Sequence, residues 1–229
     1  MINQIIRDSY ALITGASSGI GKEFAYRLAE LNFNLILVAR RLELLTEIKH
    51  DLEKKYQIKI IVIACDLTNN EDINLLLERI KNAKIEILVN NAGFGLNSEF
   101  LSADSKVYEN MVQLNCIAPI HLTSTVGNEM KKNGTGKIIF IGSVLSFLPS
   151  PYNAVYSATK SFDENLACGL WYELKDYNID VISVNPGTTK TFFHKNAGIN
   201  MGSRYRLPSD VVNTALNNIG KKPSVIDGL

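Results

Sequence analysis

The 229-residue chain reads as a doubly wound α/β domain built on a parallel sheet. Two patterns predict this. Short β-branched and aliphatic runs alternate with longer stretches of helical periodicity. The runs are mostly continuously apolar, as strands buried on both faces must be. They are Ala11-Leu12-Ile13, Leu35-Ile36-Leu37-Val38, Ile60-Ile61-Val62-Ile63, Ile85-Glu86-Ile87-Leu88-Val89, Ile138-Ile139-Phe140-Ile141 and Val181-Ile182-Ser183-Val184, with a weaker seventh at Ser224-Val225-Ile226. Helical stretches begin near Gly19, Glu43, Glu71, Asp104, Val155 and Pro208. Thr68 is the expected cap of the helix near Glu71, and Pro208-Ser209-Asp210 puts proline and an acid at a helix entry. No linker, repeat or low-complexity break interrupts the alternation, so 1–229 reads as a single domain. The two longest helical stretches, 104–130 and 155–177, offer a packing face for a second subunit, hence an expected homodimer or homotetramer.

Composition narrows the function class. There are 24 Lys+Arg against 23 Asp+Glu, a net charge of +1. No basic excess exists to neutralise phosphate backbones, so nucleic acid is not an expected partner. At 46% hydrophobic residues the chain is no disordered acidic tail. Cys65, Cys116 and Cys168 are odd in number and widely spaced, and read as small buried hydrophobes in a reducing compartment. Residues 1–8 lack a basic region followed by a long apolar one, so no secretory signal is read there. No apolar run approaches the roughly 20 residues that span a bilayer. The expectation is a cytoplasmic protein with no membrane partner, in which the sequon Asn133-Gly134-Thr135 is idle. His50, His121 and His194 lack ligand spacing, so no metal is expected.

The first run leads straight into Thr14-Gly15-Ala16-Ser17-Ser18-Gly19-Ile20-Gly21. Glycines permit a tight turn and a close approach of backbone to phosphate. The N-terminus of the following helix adds free N–H groups and a positive dipole end. A Walker loop is ruled out, because Ala16 and Glu23 stand where it needs glycine and Ser or Thr. A dinucleotide's ribose discriminator belongs at the end of the second strand. That place holds Arg40 and Arg41 and no carboxylate. A guanidinium there pairs with a 2′-phosphate, Ser17 can add a hydroxyl, and NADP(H) is favoured over NAD(H). Asp66, beside Leu67 at the end of the third run, is placed either to bind the adenine amine or to cap a helix. Asn91, Ala92 and Gly93 close the fourth run and let backbone pass near the adenine ribose.

Ser143 ends the fifth run, and Tyr156 and Lys160 follow within a helical stretch. Being i and i+4, they share a face. A phenol of pKa about 10 is a poor base at neutral pH, and a nearby ammonium favours its ionised form. It can then exchange a proton with a substrate hydroxyl or carbonyl oxygen.

A Tyr-x-x-x-Lys alone is common. The ordered set is not: Thr-Gly-x-x-x-Gly-x-Gly, Asn-Asn-Ala-Gly, the serine, Tyr-x-x-x-Lys, then Pro186-Gly187. Over essentially the whole chain it resembles the short-chain dehydrogenase/reductase family. The resemblance implies a Rossmann-like doubly wound sheet with Tyr156 as general acid/base. Lys160 would hold the nicotinamide ribose and depress the tyrosine pKa, and Ser143 would orient the reacting oxygen. Asn115 would support a water-mediated proton relay to the lysine. Pro186, Gly187 and Thr191 would line the nicotinamide side. The Val-Ala-Arg-Arg and Asn-Asn-Ala-Gly-Phe-Gly stretches look like those of a subgroup acting on broad carbonyl or 3-oxoacyl substrates. Relatives of this type continue into a further C-terminal segment, so a chain ending at Leu229 implies an open pocket or a trimmed chain.

Val144, Leu145, Phe147, Leu148, Tyr152, Phe192 and Phe193 flank the polar residues and read as an apolar substrate wall. Residues 188–206, with Gly198 and Gly202, read as a substrate lid. The expected function is hydride transfer between NADP(H) and a lipophilic or amphipathic carbonyl or secondary alcohol. The alternatives are a non-catalytic NADP-binding sensor and an NAD-dependent alcohol dehydrogenase of the same fold.

Overall fold

The computed structural model describes residues 8–191, 193, 197–198 and 205–228. A seven-stranded sheet forms the centre, in the order β3-β2-β1-β4-β5-β6-β7. The strands are β1 Tyr10–Thr14, β2 Asn34–Ala39, β3 Ile60–Ala64, β4 Ile85–Asn90, β5 Gly136–Ile141, β6 Ile179–Asn185 and β7 Ser224–Ile226. Every pairing is parallel.

Register explains why these strands are apolar throughout. Leu37, Ile13, Val89, Ile139 and Ile182 lie side by side across five strands. All five join one core. One residue earlier, Ile36, Leu12, Leu88, Ile138 and Val181 form the adjacent row and join the other core. Side chains alternate between faces with period two, so both phases must be hydrophobic when helices cover both sides.

The helices supply those covers. α1 (Gly19–Glu30) and α2 (Leu42–Lys55) pack on the first face through Phe24, Leu28, Leu45 and Leu52. α3 (Asn70–Ile80), α5 (Ala118–Asn133) and α6 (Ala154–Glu173) contribute to the second through Ile73, Leu76, Leu122, Val126 and Ala167. α4 (Ser105–Val112) leads into α5 through a π-turn at Gln113–Ile117. α7 (Pro208–Asn218) returns to the first face with Val211, Val212 and Ala215. The starts of α1, α2, α3, α4, α6 and α7 lie within one residue of those expected, whereas the stretch read as one helix over 104–130 is divided by the π-turn into α4 and α5. One cap differs. Asn69, not Thr68, caps α3 by accepting from the Glu71 N–H at 2.8 Å. Thr68 is turned back, its hydroxyl donating to Asp66 Oδ1 at 2.8 Å, because Asp66 claims it for the turn that leaves β3.

The cysteines are free, and Cys65 and Cys116 are buried. Burial pushes both thiols up to about 12, and the half-buried Cys168 up to about 11. All three stay protonated and unreactive at neutral pH. No helix among the described residues is long and apolar enough to cross a membrane.

Beyond β7, Asp227 is buried and bound by Arg206 through Nε and Nη2 at 2.8 and 3.0 Å, and by the Thr214 hydroxyl at 2.6 Å. Burial works to raise this carboxyl, but the Arg206 and Thr214 hydrogen bonds outweigh it and hold the pKa below the usual carboxylate value. A depressed folded-state pKa stabilises the fold above the unfolded value of about 4 and ceases to do so as pH falls through the folded value. Asp227→Asn should therefore lower the thermal midpoint at neutral pH. In matched melts the gap to wild type should close progressively below about pH 4. A gap of constant size down through strong acid would contradict this assignment.

Candidate active site

The C-terminal ends of the strands open into one cavity of about 560 Å³. The sheet reverses its winding between β1 and β4, and the crevice begins there. Thr14 stitches the two strands together. Its hydroxyl donates to the Val89 carbonyl at 3.2 Å and accepts from the Asn91 and Ala92 N–H groups, each at 3.0 Å. The Asn91 amide donates back to the Thr14 carbonyl at 2.8 Å. This leaves little room for the glycine turn. A Cβ on Gly15 would stand 2.7 Å from Asn91 Nδ2, and one on Gly21 would stand 2.5 Å from both Asn91 Nδ2 and the Gly15 oxygen. Gly15 and Gly19 also adopt left-handed φ values of 64° and 57°. Ser18, the N-cap residue of α1, makes no side-chain cap, so the helix's first N–H groups face the cavity without one. Arg40 and Arg41 stand exposed at the rim, with Arg41 Nη2 donating to Ser17 Oγ at 3.3 Å.

At the far end, α6 carries an unusual buried face. Tyr156, Ser157, Thr159, Lys160, Asp163 and Glu164 are all buried along it. An inward helical stripe is normally apolar, and this one is held by hydrogen bonds instead. Lys160 Nζ donates to the Ile141 carbonyl at the end of β5 at 2.8 Å and to Asp163 Oδ2 at 2.9 Å. An ammonium has three donors, so one is left for a ligand. Burial alone would lower the Lys160 pKa, but Asp163 outweighs it and holds the lysine charged. The Tyr156 phenol neighbours the Ser143 hydroxyl. Burial pushes that phenol up, the Lys160 ammonium and Ser143 pull it down, and the net direction is up. The expected pull of the lysine is present and is outweighed.

Ser143 is fixed from behind. Its N–H donates to Asn185 Oδ1 at 3.0 Å, and its Oγ accepts from the Leu145 N–H at 3.1 Å. Asn185 is fully buried and donates to Glu164 Oε2 at 2.7 Å. A Glu164–Asn185 pair thus joins α6 and β6 behind the serine.

The chain was compared with known proteins. A family profile described as short chain dehydrogenase matches residues 9–201. The chain belongs to the short-chain dehydrogenase family. The very-long-chain 3-oxoacyl-CoA reductase of Neurospora crassa is 36% identical over 180 residues, covering 76% of this chain and 54% of that protein. The namesake enzyme of Scheffersomyces stipitis is 31% identical over 229 residues, covering 94% of this chain and 65% of that protein. The chain thus spans between about half and two thirds of these curated relatives. Among solved structures, a short-chain dehydrogenase from Sphingobium yanoikuyae in complex with NADPH superposes with a TM-score of 0.89 at 32% identity, covering 96% of this chain and 87% of that one. A bulky-bulky ketone specific alcohol dehydrogenase from Comamonas testosteroni gives 0.88 at 34%, covering 96% and 86%.

The short-chain dehydrogenase site gathers most residues read from the sequence. Gly15, Ser17, Ser18, Gly19, Ile20, Arg40, Arg41, Asp66, Leu67, Asn91, Ala92, Gly93, Ser143, Tyr156, Lys160, Pro186, Gly187 and Thr191 all line the cavity. Gly21 and Asn115 do not. Gly21 lies behind the turn. Asn115 is clamped in the π-turn, exchanging hydrogen bonds with both backbone groups of Phe94 at 3.1 and 3.0 Å and donating to Thr159 at 3.0 Å. It secures the loop after β4. Asp66 accepts from the Thr68 N–H and hydroxyl at the cavity edge, so it shapes the turn out of β3, and the cap of α3 is Asn69 instead.

Of the expected apolar wall, Val144, Leu145 and Phe193 line the cavity, and the Phe193 ring lies 5.3 Å from Tyr156. Phe147, Leu148 and Tyr152 are exposed outside it. Phe192, His194, Gly202 and most of the expected lid lie outside the described residues. The ends of that segment meet, with Arg206 N–H donating to Thr188 and Lys190 N–H to Arg206, both at 2.8 Å. Sequence reasoning missed Thr14, Asp163, Glu164 and Asn185. Asp163 had a visible signal, an acid at i+3 from Lys160 and i+7 from Tyr156.

The crowding at Gly21 is testable. Gly21→Ala should destabilise the fold by about 1–3 kcal/mol, the usual cost of overpacking, and weaken dinucleotide binding in a calorimetric titration. Unchanged stability and affinity would mean that the turn has slack.

Proposed function

We propose that the chain is an NADP(H)-dependent oxidoreductase that interconverts a ketone and a secondary alcohol on bulky apolar substrates, 3-oxoacyl compounds included. The observation that carries this reading is one cavity with a glycine turn and two arginines at one end and Ser143 and Tyr156 beside a buried Lys160 at the other. The cradle fits the cofactor. Glycine 15 and 19 backbone and the first turn of α1 suit a pyrophosphate. Arg40, Arg41 and Ser17 suit a 2′-phosphate. Lys160 has a donor to spare for ribose hydroxyls. When bound, the nicotinamide supplies or accepts the hydride.

The chain's own residues manage the proton. In reduction, Tyr156 donates its phenolic proton to the carbonyl oxygen, and Ser143 donates a hydrogen bond to the same oxygen. In oxidation, the phenolate takes the proton back. Val144, Leu145 and Phe193 give the substrate an apolar seat, in keeping with the names of the fungal reductases and the ketone-specific dehydrogenase. The reduced cysteines and the long α5 and α6 support a cytoplasmic homo-oligomer.

Tyr156→Phe should lower turnover at least about a hundredfold while NADPH binding survives. Wild-type turnover in that variant would end the proposal. Replacing Arg40 and Arg41 together by Ala should weaken NADPH binding about tenfold or more and leave NADH little changed. Equal losses for both cofactors would contradict the role given to the arginines. A screen of NADPH consumption should favour 3-oxoacyl thioesters and aryl ketones over sugars.

A further inference from the structure

The serine that faces the cavity is held by a residue that does not. Ser143 leads into a short helical turn, Val144–Phe147, and its Oγ accepts from the Leu145 N–H at 3.1 Å. The hydroxyl therefore keeps its proton for another acceptor. The turn is pinned to the end of β6 at three points. Asn185 Oδ1 accepts from the Ser143 N–H and from the Ser146 hydroxyl, both at 3.0 Å. The Pro186 carbonyl accepts from the Val144 N–H at 3.1 Å. Asn185 is fully buried, and its oxygen occupies the space over Gly142, where a Cβ would collide with it.

The asparagine amide fits only one way round. A backbone N–H can only donate, so the atom facing Ser143 must be the oxygen. A carboxylate accepts, so the atom facing Glu164 must be the nitrogen. Glu164 is itself buried and takes that amide on Oε2 at 2.7 Å, with the Ser183 and Ser224 hydroxyl oxygens at 3.1 and 3.3 Å from the same nitrogen. Glu164 rides on α6, the helix that carries Tyr156. The file Glu164–Asn185–Ser143 therefore fixes the serine relative to the tyrosine's own helix. Asn185 does not line the cavity, so whatever it does for a reaction it does through Ser143.

We propose that Asn185 is a positioning residue: turned by Glu164, it sets Ser143 where its hydroxyl and that of Tyr156 meet one substrate oxygen. The inference rests on the reading of Ser143 as a hydrogen-bond donor to that oxygen.

The test is a cycle of Asn185→Ala and Ser143→Ala, singly and together, in the full chain. The probe is the ketone that the wild-type chain reduces fastest, followed as NADPH oxidation with enzyme in excess so that slow variants stay measurable. N185A should lower the rate about tenfold or more while the Kd for NADPH moves by less than about twofold. In the S143A background the same substitution should cost almost nothing further, because the group it places is gone. An unchanged rate in N185A, a loss that persists in full in S143A, or an NADPH affinity that falls in step with the rate overturns the proposal. A merely structural asparagine would disturb the site whether or not the serine is present. Should N185A not fold, Glu164→Leu carries the same cycle, and Glu164→Gln, which keeps an acceptor for the amide, should stay near the wild-type rate. Equal losses in the Leu and Gln variants would overturn the part given to Glu164. The two failures are separable. A wild-type rate in S143A defeats the reading of the serine, whereas a loss in N185A that ignores the serine defeats only this one.

Discussion

The constraint on which the structure depends is the reversal of the sheet between β1 and β4. Strands wind outward from β1 in one direction and from β4 in the other, so the chain leaves their adjacent ends toward opposite faces. A gap must open there. Thr14 and Asn91 close its floor with four hydrogen bonds, and in doing so they take the space that side chains at 15 and 21 would need. The glycines are thus demanded first by the protein's own packing. The close approach they offer a phosphate follows from a loop pressed against its neighbouring strand. Fold and binding site share one steric cause.

The second organising feature is the polar face of α6. Burying a lysine and two acids along one helix is tolerable only where each finds partners, and those partners set the position of α6. Lys160 reaches the end of β5, and Glu164 reaches Asn185 at the end of β6. Asn185 in turn holds the backbone of Ser143, while the same helix presents Tyr156 to that serine. The two hydroxyls that would meet a substrate oxygen are therefore aligned from behind by a network that joins α6 to the ends of β5 and β6.

These two features also mark what was legible in the sequence. The strands could be read because both faces are buried, so Leu12 and Ile13, or Ile138 and Ile139, had to be apolar alike. Helix starts could be read from caps and periodicity, and the cap that went astray, Thr68 for Asn69, turned on a contest for Asp66 that only three dimensions display. Glycines, arginines and the Tyr-x-x-x-Lys pair carry their chemistry in local spacing. Asn185 and Glu164 do not, since their meaning lies in contacts 21 and 42 residues away. The π-turn that turns Asn115 onto Phe94 has no periodic signature, and apolar residues such as Leu148 and Tyr152 follow Ser143 in sequence yet face solvent outside the cavity.

The burial of Tyr156 bears on the direction of the proposed reaction. A phenol shielded from water resists ionisation, and Phe193 packs its ring 5.3 Å away on the cavity side. A site meant chiefly to take protons would need that resistance removed. A site meant chiefly to give them gains from it, because the acid stays loaded at neutral pH until a carbonyl oxygen arrives with growing negative charge. The Phe193 ring covers the phenol on that side, and a lower local dielectric strengthens a hydrogen bond made there. The apolar seat and the raised phenol pKa therefore share one cause, the packing around Tyr156, and in the proposed reaction both favour proton donation to a carbonyl.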